Sequence, residues 1–107
     1  KCLVLYPLED WSKVEQQLSK LSSIRGRHRS FVRSVTRYAT SVQYDGQGRV
    51  QIPDSLLGYS GIKKEVAVIG MINKIELWDP NIISKIDASE EGLDDNNFDD
   101  LANEINF

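Results

Sequence analysis

Residues 44–53 read Tyr-Asp-Gly-Gln-Gly-Arg-Val-Gln-Ile-Pro. Two glycines close behind an aspartate can take positive φ at no steric cost, so the segment reverses the chain. The flanking residues alternate: Ser41-Val42-Gln43-Tyr44 before the turn and Arg49-Val50-Gln51-Ile52 after it. Val42 and Tyr44 share one face, as do Val50 and Ile52. That period of two belongs to a strand with one face covered rather than to a helix. A β-hairpin is therefore expected in the middle of the chain. An isolated two-stranded ribbon buries too little to stand alone, so strand exchange with a second copy of the unit is expected too.

The rest of the chain alternates strand-like and helix-like patterns. Residues 1–7, KCLVLYP, read as a short strand stopped by Pro7. Leu8, Trp11, Val14, Leu18 and Leu21 then recur at helical spacing. A second helix is expected over RHRSFVRSVTRYA, where Phe31, Val32, Val35, Tyr38 and Ala39 share one side. Arg25, Arg29, Arg33 and Arg37 line the opposite side. Pro53-Asp54 opens a short helix ended by Gly58 or Gly61. Glu65–Ile72 and Lys74–Trp78 read as two strands with a tight turn near Asn73, and Asp79–Ile86 as a last short helix. KCLVLYP also has an echo in KIELWDP at Lys74–Pro80, displaced by 73 residues, and each is followed by Ser-Lys and an aliphatic residue. Self-similarity of this kind points to a duplicated unit, the alternative being a coincidence between two short strand-Pro-helix junctions.

Composition narrows the function. A chain of 107 residues is one domain's worth. It has no apolar run of about 18 residues that could span a membrane. One cysteine, Cys2, excludes an internal disulfide and fits a reducing compartment. With a single histidine, His28, distant in sequence from that cysteine, a structural zinc site within one chain lacks its usual ligands. The loop at 45–49 is no Walker loop, because Gly48-Arg49-Val50 replaces Gly-Lys-Ser/Thr. It is no dinucleotide loop either, because a strand follows it instead of a long helix. No nucleophile–base constellation supports catalysis. No cofactor, metal or small-molecule substrate is expected, and the chain reads as a non-enzymatic binding protein.

Charge is distributed unevenly. The net charge is −3, yet residues 87–107 hold eight of the 16 acids and no Lys or Arg. The other 86 residues carry 13 basic and eight acidic side chains, a net of +5. Between Glu15 and Asp45 there is no acid at all, only Lys20, Arg25, Arg27, Arg29, Arg33 and Arg37. A basic body suits a polyanion, while the acidic tail is expected to be solvated and disordered. Within that tail Phe98, Leu101, Ile105 and Phe107 keep helical spacing and could dock onto a partner.

Taken in order, CLVLYP, DGQGRVQIP and KIELWD resemble the MraZ family of transcriptional regulators, built from SpoVT-AbrB swapped-hairpin repeats. The resemblance covers residues 1–86 and implies an α+β fold, a swapped-hairpin (AbrB-like) β-barrel half with flanking helices. It implies four segments: 1–7 as the last strand of a truncated first repeat, 8–39 as two linking helices, 40–86 as the second repeat, and 87–107 as the tail. It further implies a DNA-binding regulator of the cell-division and cell-wall gene cluster. Such a protein acts as a ring-like homo-oligomer on double-stranded promoter DNA, in the cytoplasm at the nucleoid and away from membranes. The family's Asp-x-x-x-Arg motif falls on Asp45 and Arg49, with Gln47 and Gly48 in the same DNA-facing turn and Asp45 and Gly46 shaping it. Arg25, Arg29, Arg33 and Arg37 are the further candidate DNA contacts. The rival expectation is a non-catalytic assembly module with an acidic docking tail.

Overall fold

A computed structural model of the chain describes residues 2–21, 24–89 and 93–105. Lys1, Glu90, Glu91 and Phe107, which figure in the strand and tail readings above, lie outside the described residues. The first strand, β1, is Leu3–Leu5, and helix α1 is Leu8–Ser19. Pro7 caps that helix from outside: its fixed φ suits the junction, and its carbonyl accepts from the Trp11 N–H at 2.9 Å. Trp11, Val14, Leu18 and Leu21 are half-buried, whereas Leu8 is exposed.

Helix α2 is Gly26–Tyr38 and the short helix α3 is Asp54–Ser60. The latter stops at Gly61, whose φ of 76° is the left-handed conformation that ends helices. Of the two expected stops Gly61 is the one used; Gly58 lies inside the helix. Strands β2, Ala67–Gly70, and β3, Ile75–Trp78, form a hairpin. Helix α4, Pro80–Asp87, has Asp79 as its N-cap, with a carboxylate oxygen accepting from the Ile82 N–H at 3.1 Å. Helix α5, Asp95–Glu104, is capped in the same way by Asp94, which accepts from the Asn97 N–H at 2.8 Å. The helical spacing of Phe98, Leu101 and Ile105 in the tail corresponds to α5, which starts at Asp95, where the Asp94 cap provides the first turn.

The strands form one antiparallel sheet in the order β1-β3-β2. Leu3 faces Leu77 across it, and these two are the buried apolar residues among the described residues, at 8% and 9% exposure. Ser60 is fully buried; its hydroxyl donates to the Leu57 carbonyl and accepts from the Ile62 N–H, so burial leaves it satisfied. The α+β class is as expected.

The central hairpin differs from its expectation. The turn at 45–49 forms, but neither 41–44 nor 49–52 joins a strand ladder among the described residues. The alternation survives as burial: Val42, Val50 and Ile52 are half-covered, while Ser41, Gln43, Arg49 and Gln51 are exposed. Tyr44 departs from it and lies in solvent. Two arms without a third strand gain too little to hold a ladder, which is the marginality argued from the sequence. The chain as a whole is open, with a radius of gyration of 16.7 Å against about 13 Å for a compact domain of this length. Val66, Val68, Met71 and Tyr59 are all exposed apolar side chains around the sheet and α3.

The internal echo is present with a different offset. Helices α1 and α4 begin at Leu8 and Pro80, their N-caps are Pro7 and Asp79, and Ser12-Lys13 matches Ser84-Lys85. All of these differ by 72 residues, not 73. The 73-residue alignment rests on the Lys1/Lys74 and Pro7/Pro80 identities, but the two prolines occupy different helix positions, N-cap in α1 and first turn in α4.

Candidate nucleic-acid interface

Asp45 organises the 45–49 turn. One carboxylate oxygen accepts from the backbone N–H groups of Gln47 and Arg49 at 2.8 and 2.9 Å. The other accepts from Arg49 Nε at 2.9 Å. Main-chain bonds close the loop: the Asp45 N–H donates to the Arg49 carbonyl at 2.8 Å, and the Gly48 N–H donates to the Asp45 carbonyl at 3.1 Å. Gly48 stands at φ 77°, a conformation that disfavours any side chain. Gly46 is not in that region; it provides slack rather than the turn's required conformation.

The electrostatics follow from these contacts. The Arg49 backbone N–H, then that of Gln47, and with them the Arg49 guanidinium, hold the Asp45 carboxyl below the usual carboxylate range. Asp45 is therefore an anion at neutral pH and a fixed orienting group. Its grip on Nε leaves the end of the guanidinium, Nη1 and Nη2, without a protein partner among the described residues. The Arg49 side chain is 73% exposed. A pinned guanidinium with its outer edge free presents two parallel donors, the geometry that suits guanine O6/N7 or a phosphate.

Helix α2 carries the second group. No residue of it is buried, and all of its arginines are exposed. Arg33 and Arg37 stand on the face away from Val32 and Val35 as expected, with Arg37 in the last turn, where positive charge suits the helix end. Arg29 is partly committed: its Nη1 donates to the Ile24 carbonyl at 2.8 Å, folding the side chain over the start of α2. Arg25 is the N-cap residue and takes the Arg29 N–H on its carbonyl. His28 is half-buried on the apolar side. The four arginines share a helix, but two of them also build its first turn.

One residue that sequence reasoning missed is Ile72. It sits at φ 71° in a γ-turn, with the Asn73 N–H donating to the Met71 carbonyl at 2.9 Å, and it is fully exposed. The sequence places the turn near Asn73; no signal in it singles out the β-branched neighbour for positive φ. Among the described residues no three His, Cys, Asp or Glu side chains cluster as a metal ion would require. No helix among them is long and apolar enough to cross a membrane.

Comparison with known proteins places these features in context. A family profile described as "MraZ protein, putative antitoxin-like" matches residues 36–105, a span that holds the turn, the sheet hairpin and α5. The chain is 38% identical over 100 residues to the "Transcriptional regulator MraZ" of Shewanella sediminis (strain HAW-EB3), covering 92% of this chain and 66% of that protein. It is 44% identical over 77 residues to the protein of the same name from Halothermothrix orenii, covering 72% and 54%. For the one from Yersinia pestis (strain Pestoides F) the figures are 45% over 78 residues, 73% and 51%. The chain thus spans about half to two thirds of the length of these curated relatives.

Proposed function

The chain belongs to the MraZ family, and we propose from that premise that it is a DNA-binding transcriptional regulator. The observation that carries the reading is the pinned Arg49: Asp45 holds Nε and two backbone N–H groups, so the outer edge of the guanidinium points from a turn with no side chain at Gly48. Arg49 reads a base edge in the major groove of double-stranded promoter DNA, Gln47 lies alongside it in the same turn, and Gly48 lets the backbone approach the duplex. Asp45 orients and does not touch DNA, because phosphate repels it. Arg33 and Arg37, with Arg25 and Arg29, contact phosphates and set affinity rather than sequence.

The same proposal covers the parts of the assembly. Residues 1–7 are the last strand of a first repeat, 8–39 link it to a second repeat at 40–86, and 87–107 follow as an acidic extension. The arms at 41–44 and 49–52, which join no ladder among the described residues, exchange with those of another repeat, and the repeats close into a ring-like homo-oligomer. Its target is the promoter of the cell-division and cell-wall gene cluster, and its place is the cytoplasm, at the nucleoid. Support comes from the open sheet, the exposed apolar residues around it and the names of the relatives.

The test is binding of the chain to a duplex from that promoter and to a scrambled duplex of equal length, over a series of salt concentrations. The reading expects tighter binding to the promoter duplex, with affinity that falls steeply with salt. Equal and weak binding to both, in a protein that still self-associates, would instead favour the assembly-module reading.

A further inference from the structure

Two helices of this chain carry exposed apolar residues in stripes, and the borders of the stripes are opposite in charge. On α2 the stripe is Phe31, Val32, Val35 and Tyr38, with Phe31 and Tyr38 more than half exposed. At about 100° per residue, Arg25 and Arg27 fall at its two margins. On α5 the stripe is Phe98, Leu101 and Ile105, all exposed, and Asp95 and Glu104 fall at its margins. No residue of either helix is buried. The segment around α2 has no acid and the segment around α5 has no base. With 13 and 10 residues, the helices are about 20 and 15 Å long, so one stripe spans most of the other.

We propose that α5 of one copy docks along the apolar stripe of α2 on a second copy, its bordering acids meeting the bordering arginines. A helix laid in an apolar seam with matched charged edges is a common mode of recognition. Both partners are present in every copy, so a twofold pair makes the contact twice and closes on itself. Arg33 and Arg37 lie on the far side of α2 and stay outward, so docking leaves them free for a polyanion. The proposal does not depend on DNA binding: an assembly module would use the same contact.

Cross-linking tests it in the full chain with Cys2→Ser as background. A copy carrying Ser34→Cys, beside the α2 stripe, is mixed with a tagged copy carrying Ala102→Cys, beside the α5 stripe, under mild oxidation. The expected result is an inter-copy disulfide forming about tenfold faster or more than with Asn103→Cys, on the far side of α5, because docking raises the local thiol concentration. Arg25→Glu with Arg27→Glu in the first copy should slow it, and Asp95→Lys with Glu104→Lys in the second should restore it. A rate equal to the Asn103→Cys control overturns the proposal. So does a disulfide that forms only within a chain carrying both cysteines.

Discussion

Replacing Arg49 separates base reading from phosphate anchoring, because the side chain has one fixed end and one free end. Asp45 takes Nε at 2.9 Å, so the only donors left for DNA are Nη1 and Nη2. A lost bidentate base contact costs about 1–3 kcal/mol, roughly 5- to 150-fold in Kd. A lost phosphate contact instead lowers the salt slope by about 0.9, which between 50 and 200 mM salt amounts to about 3.5-fold in affinity per contact. Arg49→Lys keeps the charge and loses the fork; Arg49→Ala loses both. Base reading therefore expects both variants to bind the promoter duplex much more weakly, with the gap to scrambled DNA narrowed. Arg49→Lys should also keep the parent's salt slope. The fold should be unaffected, since an exposed ion pair contributes little. Fluorescence anisotropy at four salt concentrations, with circular dichroism as the control, measures all of this. Parental affinity in Arg49→Ala at every salt concentration would remove the site altogether. A shallower slope with unchanged discrimination would make Arg49 an anchor rather than a reader.

Three further outcomes follow from backbone and titration. Gly48→Ala adds a methyl group to open space at φ 77° and should cost about 1 kcal/mol, whereas at Gly61 the φ is 76° and the new carbon would lie 3.2 Å from Ile82 Cδ1. The urea midpoint should fall further for Gly61→Ala, and equal falls would show that the α3–α4 contact gives way freely. Ile72→Gly removes the Cβ at the positive φ of the hairpin tip and should raise the midpoint by the equivalent of about 1 kcal/mol; a lower midpoint would mean the isoleucine makes a contact that outweighs its strain. Asp45 is held below its unfolded carboxylate value, so what it contributes is fully present above about pH 4 and disappears as pH falls through the folded value. The stability gap between parent and Asp45→Asn should thus be constant from pH 7 to 5 and close below pH 4 in urea titrations. A gap that already closes at pH 5 contradicts the hydrogen bonding assigned to Asp45.

How much of this was legible beforehand depends on the range of the interactions. Pro7, Asp79-Pro80 and Gly61 are local punctuation, and each stands at the helix boundary that its chemistry dictates. The Asp45 turn is equally local, since all its hydrogen bonds fall within five residues. The ladder expected from 41–44 and 49–52 was not legible, because alternation reports which face is covered and not what covers it. Arg29 shows the same limit at a candidate site. Its place on the helix face follows from spacing, but its bond to the Ile24 carbonyl depends on how the chain enters α2. Ile72 could not be read at all: its conformation is imposed by the register Gly70↔Ile75, which leaves four residues, Met71 to Lys74, to turn the chain.

The sheet register bears on the proposed duplication more sharply than the sequence echo does. Two strands related by a twofold axis can pair only antiparallel, and an axis normal to the sheet keeps each side chain on its own face. Because faces alternate along a strand, residues directly opposite share a face. With an offset of 72, Val4 and Glu76 are counterparts and stand opposite each other; Leu3 faces Leu77, the counterpart of Leu5, and Leu5 faces Ile75, the counterpart of Leu3. Every pair maps onto a pair, and the buried Leu3 and the half-buried Ile75 fall on the same face. An offset of 73 would send Leu3 to Glu76, which lies across the sheet from it. The β1·β3 ladder is therefore laid out as a dyad through Val4 and Glu76, on which β3 has its hairpin partner β2 and the outer edge of β1 has no strand beside it among the described residues.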